Sequence, residues 1–206
     1  MASSAYDRFM ASMVIDQDAW RDGTGYDLAA LDELSPEEMR SAEAHLIARK
    51  DEDWRDTEAL AYIGSDKAMA ALKASTRGPN QQVRLKAAQA LADAGEEGDL
   101  EAQIIHALKF SELYDGLAQA ELMAESHPTP AIKETLLRGI LTSNDGRAVR
   151  FAALLYYFHG LADEPFDFRQ RPYFLTFRTE DMAERRRLVE DLRERLGMPA
   201  SALDGL

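Results

Sequence analysis

The sequence predicts an all-α protein, a short solenoid of stacked helix hairpins. Three observations carry that prediction. Apolar residues recur at helical spacing along most of the chain. Two helix starts are spelled out by a capping residue followed by proline, at Ser35-Pro36 and Thr129-Pro130. No apolar–polar alternation of useful strand length occurs before residue 165. The 206 residues read as a single domain, with N-terminal helices over 1–50, repeats over 51–161 and a C-terminal cap over 162–206.

The elements follow in order. Tyr6, Phe9, Met10, Met13 and Val14 fall at i, i+3, i+4, i+7 and i+8, one apolar stripe that predicts a docked helix. The run from Phe9 to Ile15 lacks a basic n-region, since Asp7 sits beside Arg8, and it is followed by Asp16 and Asp18, so no secretory signal is expected. A loop with two glycines follows at Arg21 to Gly25. Ser35, Pro36 and Glu38 then supply the N-cap, the first helical residue and the acid of a capping box. The helix they open should bury Met39, Ala42, Leu46 and Ile47 and end in Lys50.

The middle of the chain reads as repeats. Val83-Arg84-Leu85-Lys86-Ala87-Ala88 and Val149-Arg150-Phe151-Ala152-Ala153 open alike and lie 66 positions apart, two periods of about 33. Leu117 to Leu122 falls between them, and Trp54-Arg55 lies 29 positions before Val83. Ala68 to Leu72, Ile104 to Leu108 and Ile132 to Leu141 supply partner helices. One hairpin of short helices cannot bury its apolar face alone, so neighbours must stack to build a core. Ala87, Ala88, Ala152 and Ala153 are small enough to let those helices approach closely.

These segments resemble HEAT-like repeats, over roughly Asp51 to Leu161. The resemblance implies a right-handed α-solenoid in which Arg84 and Arg150 brace neighbouring repeats. Arg55 matches less well, because Trp54 replaces the aliphatic residue and Glu58 the first alanine. The 117–122 unit has no arginine.

The last part departs from the repeats. Glu164 to Phe177 is rich in aromatics and interrupted by Pro165 and Pro172, which predicts an ordered loop with a short extended piece at Tyr173 to Phe177. A final helix over Glu180 to Leu196 places Leu188, Val189, Leu192 and Leu196 on one face, and Gly197-Met198-Pro199 stops it. Phe166, Phe168, Phe174, Leu175 and Phe177 are expected to be buried against the last hairpin, making this segment a cap.

Little in the sequence points to chemistry. Without cysteine there is no disulfide, thiolate nucleophile or Cys-ligated zinc. His45, His106, His127 and His159 lack metal-ligand spacing. Asp16-Gln17-Asp18 starts like a calcium loop, but the rest of the twelve-residue pattern fails. No phosphate-cradling loop or nucleophile elbow occurs. No catalytic residue, cofactor or metal is therefore expected, and the protein reads as a non-enzyme.

Charge directs attention to a partner. The chain holds 24 Lys and Arg against 37 Asp and Glu, a net of −13. Residues 147–206 hold ten of each sign, leaving 14 basic against 27 acidic residues in 1–146. That balance disfavours nucleic acid and anionic membrane surfaces and favours a basic protein. No segment has the roughly 20 apolar residues of a membrane span, and the chain reads as cytoplasmic. The basic run Arg185-Arg186-Arg187 is set among Glu184, Glu190, Asp191 and Glu194, which predicts a solvated helix face.

Partner contacts are expected on two acidic stretches. One is Asp51, Glu52, Asp53 and Asp56, with Trp54 as an anchor. The other is Asp93, Glu96, Glu97, Asp99 and Glu101, in a loop that Gly95 and Gly98 leave adaptable. Stacking would bring the two onto one edge. Tyr62, Tyr114, Tyr156 and Tyr157 are read as packing between repeats, with interface anchoring as the alternative. Small acidic HEAT-like proteins with an atypical aromatic cap are similar to bacterial immunity proteins, which implies direct inhibition of a basic toxin domain. The alternative is a HEAT-like scaffold, or an enzyme subunit of lyase or DNA-repair type. The charge weighs against DNA repair, and the missing cysteine against a lyase.

Overall fold

The computed structural model describes residues 3–143 and 146–204, without the Tyr114 side chain. Every regular element among them is helical. The chain forms two compact units, Met1–Gln103 and Ile104–Leu206.

The first unit holds α1 (Ser4–Ser12), α2 (Gln17–Arg21), a 3-10 turn (Leu28–Glu33), α3 (Pro36–Arg49), α4 (Trp54–Ile63), α5 (Asp66–Ser75) and α6 (Gln81–Asp93). Its core gathers Phe9, Leu31, Leu46, Leu60, Leu72 and Leu91, all fully buried. The capping box at α3 forms as expected, with Ser35 Oγ accepting from Glu38 N and the Glu38 carboxylate accepting from Ser35 N at 3.0 Å. Ser3 N also donates to Glu38 at 2.7 Å, so one carboxylate ties α1 to α3. The Ser35 hydroxyl also donates to the Glu38 carboxylate at 2.7 Å, and this bond, with the N–H bonds from Ser3 and Ser35, favours the charged form and lowers the Glu38 pKa to about 2. The apolar stripe of α1 is shorter than expected. The helix closes at Ser12, and Val14 lies beyond it, 79% exposed. At the other end of the unit, Gly64 takes the left-handed conformation (φ 62°) that terminates α4, and Ser65 caps α5.

From Leu100 to Phe110, α7 carries the chain into the second unit. There follow a π turn (Leu113–Leu117), α8 (Ala118–Ser126), α9 (Pro130–Thr142), α10 (Arg147–Phe158), α11 (Arg171–Leu175), a 3-10 turn (Thr176–Arg178), α12 (Met182–Arg195) and a last 3-10 turn (Ala200–Leu203). Thr129 caps α9 by accepting from Ile132 N. The centre of this unit is α10, in which every residue from Phe151 to Tyr156 is buried. A helix apolar on all sides needs neighbours all round. Here α9, α8 and α11 all pack against it.

Three expectations for the cap are corrected. Tyr173 to Phe177 is helical, because Pro172 lies in the first turn of α11, where its missing N–H costs nothing. Of the five apolar residues, Phe174 and Phe177 are buried, whereas Phe166, Phe168 and Leu175 are exposed. Positions 174 and 177 share a helix face against Tyr156 and Tyr173, and position 175 falls on the other side. Finally, Arg185 is buried and donates to the carbonyls of Ser143 and Thr179, so only Arg186 and Arg187 face solvent.

Candidate functional site

The first acidic stretch begins just before α4. Asp53 is the N-cap, accepting from Arg55 N at 2.9 Å and from the Arg55 guanidinium. Asp51 pairs with Lys50, and Glu52 lies 3.5 Å from Arg49. The space left by Gly78 takes the Asp51 carboxylate, since a Cβ there would lie 2.7 Å from its Oδ1. Asp56 is fully buried in the first turn of α4. It accepts from the Tyr26 hydroxyl at 3.0 Å and lies 3.6 Å from Arg49. Burial raises its pKa above the ordinary range, and the Tyr26 hydrogen bond opposes that rise.

Trp54 is half-buried, with the Arg55 guanidinium 4.5 Å and the Lys86 ammonium 4.9 Å from its ring centre. Its π system is thus already engaged by two cations. The stretch is a largely neutralised network that joins Tyr26, α3 and α4, with Glu52 its most exposed acid.

The second stretch is different. Asp93, Glu96, Glu97, Asp99 and Glu101 are all exposed. Glu96 pairs with Lys73 at 2.8 Å, with both side chains about half exposed, and Asp93 accepts from Gln89. The loop is less adaptable than expected. Gly95 is free of close neighbours, but a Cβ at Gly98 would lie 2.9 Å from both Ala88 O and Leu91 Cβ. Glu96 N also donates to Leu91 O at 2.8 Å. The loop is therefore pressed onto its own helix. Asp99 is the only non-glycine residue with positive φ (49°) among the described residues, a conformation that aspartate tolerates better than most.

No hydrogen bond or ion pair joins the two stretches among the described residues. Asn80, the N-cap of α6, donates to Glu52 O at 3.1 Å. Asp93 closes the same helix, roughly 20 Å away at 1.5 Å per residue. Between these ends runs an open groove of about 480 Å³, lined by Leu28, Glu58, Lys86, Gln89 and Asp93.

The other candidate anchors divide as well. Tyr62 is exposed and donates to Asp32 at 2.7 Å. Tyr156 is buried against Phe174, and Tyr157 is half-buried. The Tyr114 side chain lies outside the described residues. Among the described residues no three His, Asp or Glu side chains gather as metal ligands, and no helix is long and apolar enough to cross a membrane.

The second unit also holds a cleft of about 360 Å³ that helical periodicity does not reveal, lined by Val149, Arg150, Phe166, Phe168, Arg171, Phe174, Leu175 and Arg178. Its signal in the sequence is Phe166-Asp-Phe-Arg-Gln-Arg171, in which arginines follow the two phenylalanines that stay exposed. Comparison with protein-family models, curated proteins and solved structures finds no match to this chain.

Proposed function

We propose that this chain is a non-enzymatic protein-binding module whose α6–α7 loop engages a basic protein, as an immunity protein engages a cognate toxin. The observation that carries the reading is the loop itself, with five exposed carboxylates from Asp93 to Glu101 on a backbone held against Ala88 and Leu91. Like charges crowd there with one lysine for relief, and an exposed pair such as Lys73–Glu96 is worth at most about 1 kcal/mol. A cationic partner offsets that repulsion, and complementary charge raises its association rate. Because the loop is already ordered, little conformational entropy is lost on binding.

The HEAT-like reading has support from two ion pairs at repeat-like spacing. Lys86 reaches Glu58 at 2.6 Å across 28 residues, joining α6 to α4. Arg150 reaches Glu121 at 2.9 Å across 29 residues, joining α10 to α8. Arg84, the other expected brace, donates to Gly78 O in the loop before its own helix. The module is proposed to act in the cytoplasm.

The test has two stages. The partner is captured from the native host on immobilised wild-type chain, then expressed in a heterologous host with and without this chain. A basic, toxic partner rescued by the wild type, but not by the Glu96→Lys/Glu97→Lys/Asp99→Lys variant, is expected. A harmless or acidic partner would contradict the reading.

A further inference from the structure

The second unit carries a surface of opposite character. Phe166 is 47% and Phe168 74% exposed, and Leu175 lies beside them in the same cleft. Apolar ring surface left in water forgoes the stabilisation that burial would give. The local fold enforces that exposure. Asp167, between them, is buried and accepts from Arg169 N at 2.8 Å and from the Arg169 guanidinium. Arg169 also reaches Asp163. With the central aspartate clamped inward, its two neighbours are directed out.

The rim of the cleft is cationic. Arg150, Arg171 and Arg178 line it, and none of its lining residues is acidic. Arg150 is committed to Glu121. Arg171 lies over the Phe168 ring at 5.2 Å, and neither Arg171 nor Arg178 forms an ion pair among the described residues. Arg171 and Arg178 therefore stand beside an apolar floor with no carboxylate in the cleft to pair with them. The volume is near the lower end of ligand sites, which suits one or two side chains better than a cofactor.

We infer that this cleft is a docking site for an acidic protein segment that inserts one large aromatic side chain. The ring would stack on Phe166 and Phe168, and flanking carboxylates would accept from Arg171 and Arg178 in bidentate fashion. The inference does not depend on the toxin reading, because it concerns a different surface and the opposite charge.

The probe is a fluorescein-labelled peptide, Gly-Asp-Glu-Trp-Glu-Asp-Gly, followed by anisotropy on the full chain. Binding should weaken with salt and fall about tenfold or more on Trp→Ser in the probe or on Phe168→Ala, Arg171→Glu or Arg178→Glu in the protein. These side chains are exposed, so circular dichroism and melting temperature should be unchanged. Absence of binding, or equal binding of a probe with lysine in place of every acid, would overturn the proposal. So would a second copy as occupant, since Trp20 is 70% exposed between Asp18 and Asp22. That outcome would appear as a concentration-dependent dimer in sedimentation, lost on Trp20→Ser.

Discussion

Arg150 Nε lies 2.9 Å from Glu121 Oε1, with both side chains mostly withdrawn from solvent (23% and 11% exposed). Arg150→Ala removes a charged hydrogen bond that is mostly shielded from solvent and should cost about 1–3 kcal/mol of unfolding free energy. The counterpart Lys86–Glu58 pair is more exposed, so Lys86→Ala should cost under about 1 kcal/mol. Chemical denaturation of the two variants checks the ranking. A larger loss from Lys86→Ala would contradict it.

Gly139 on α9 leaves room for the Phe151 ring of α10, because a Cβ there would lie 2.6 Å from Cε2. Phe151 is fully buried and cannot swing away. Overpacking typically costs about 1–3 kcal/mol, while alanine gains up to about 1 kcal/mol over glycine within a helix. Gly139→Ala should therefore lower the melting temperature despite its better helix propensity. An increase would mean that α9 and α10 can move apart.

Glu38 links acid stability to the N-terminal helices. Its pKa is lowered from 4.5 to about 2, so its contribution is full above 4.5 and is lost as pH falls toward 2. Glu38→Gln lacks that contribution at every pH. The melting-temperature gap between wild type and variant should be widest at neutral pH and close between 4.5 and 2. A gap that widens on acidification would contradict the assignment.

Asp56 has the opposite sign. Burial raises its pKa above 3.8, so its contribution is full below that value and is lost as pH rises through the folded-state pKa. Asp56→Asn keeps an acceptor for Tyr26 and removes the titration. As pH rises above 3.8, stability of the wild type relative to the variant should decline and then level off. A relative gain by the wild type would show that its ionised form is well stabilised.

Helix starts were legible because they depend on short-range chemistry. Ser35 and Thr129 cap the helices that their sequence contexts announce. Burial of particular charges was not legible. In Asp51–Asp56 the acids look alike, yet helix phase sends Asp56 inside, with Tyr26 and Arg49 closing over it from elements 30 and 7 residues distant. Phe166 and Phe168 lie exposed on either side of buried Asp167, whose bonds to Arg169 form in an irregular turn that no periodicity announces. Gly98 read as a source of freedom, but the contact with Ala88 and Leu91 that fixes the loop is tertiary.

Whether the α6–α7 loop engages a basic protein is decided by the association rate of the captured partner with this chain, wild type against Glu96→Lys/Glu97→Lys/Asp99→Lys, at about 50 and about 500 mM salt. The wild-type rate should fall steeply with salt, and the variant should be slow at low salt with little salt dependence. Equal rates and equal salt dependence would place the interface away from the α6–α7 loop.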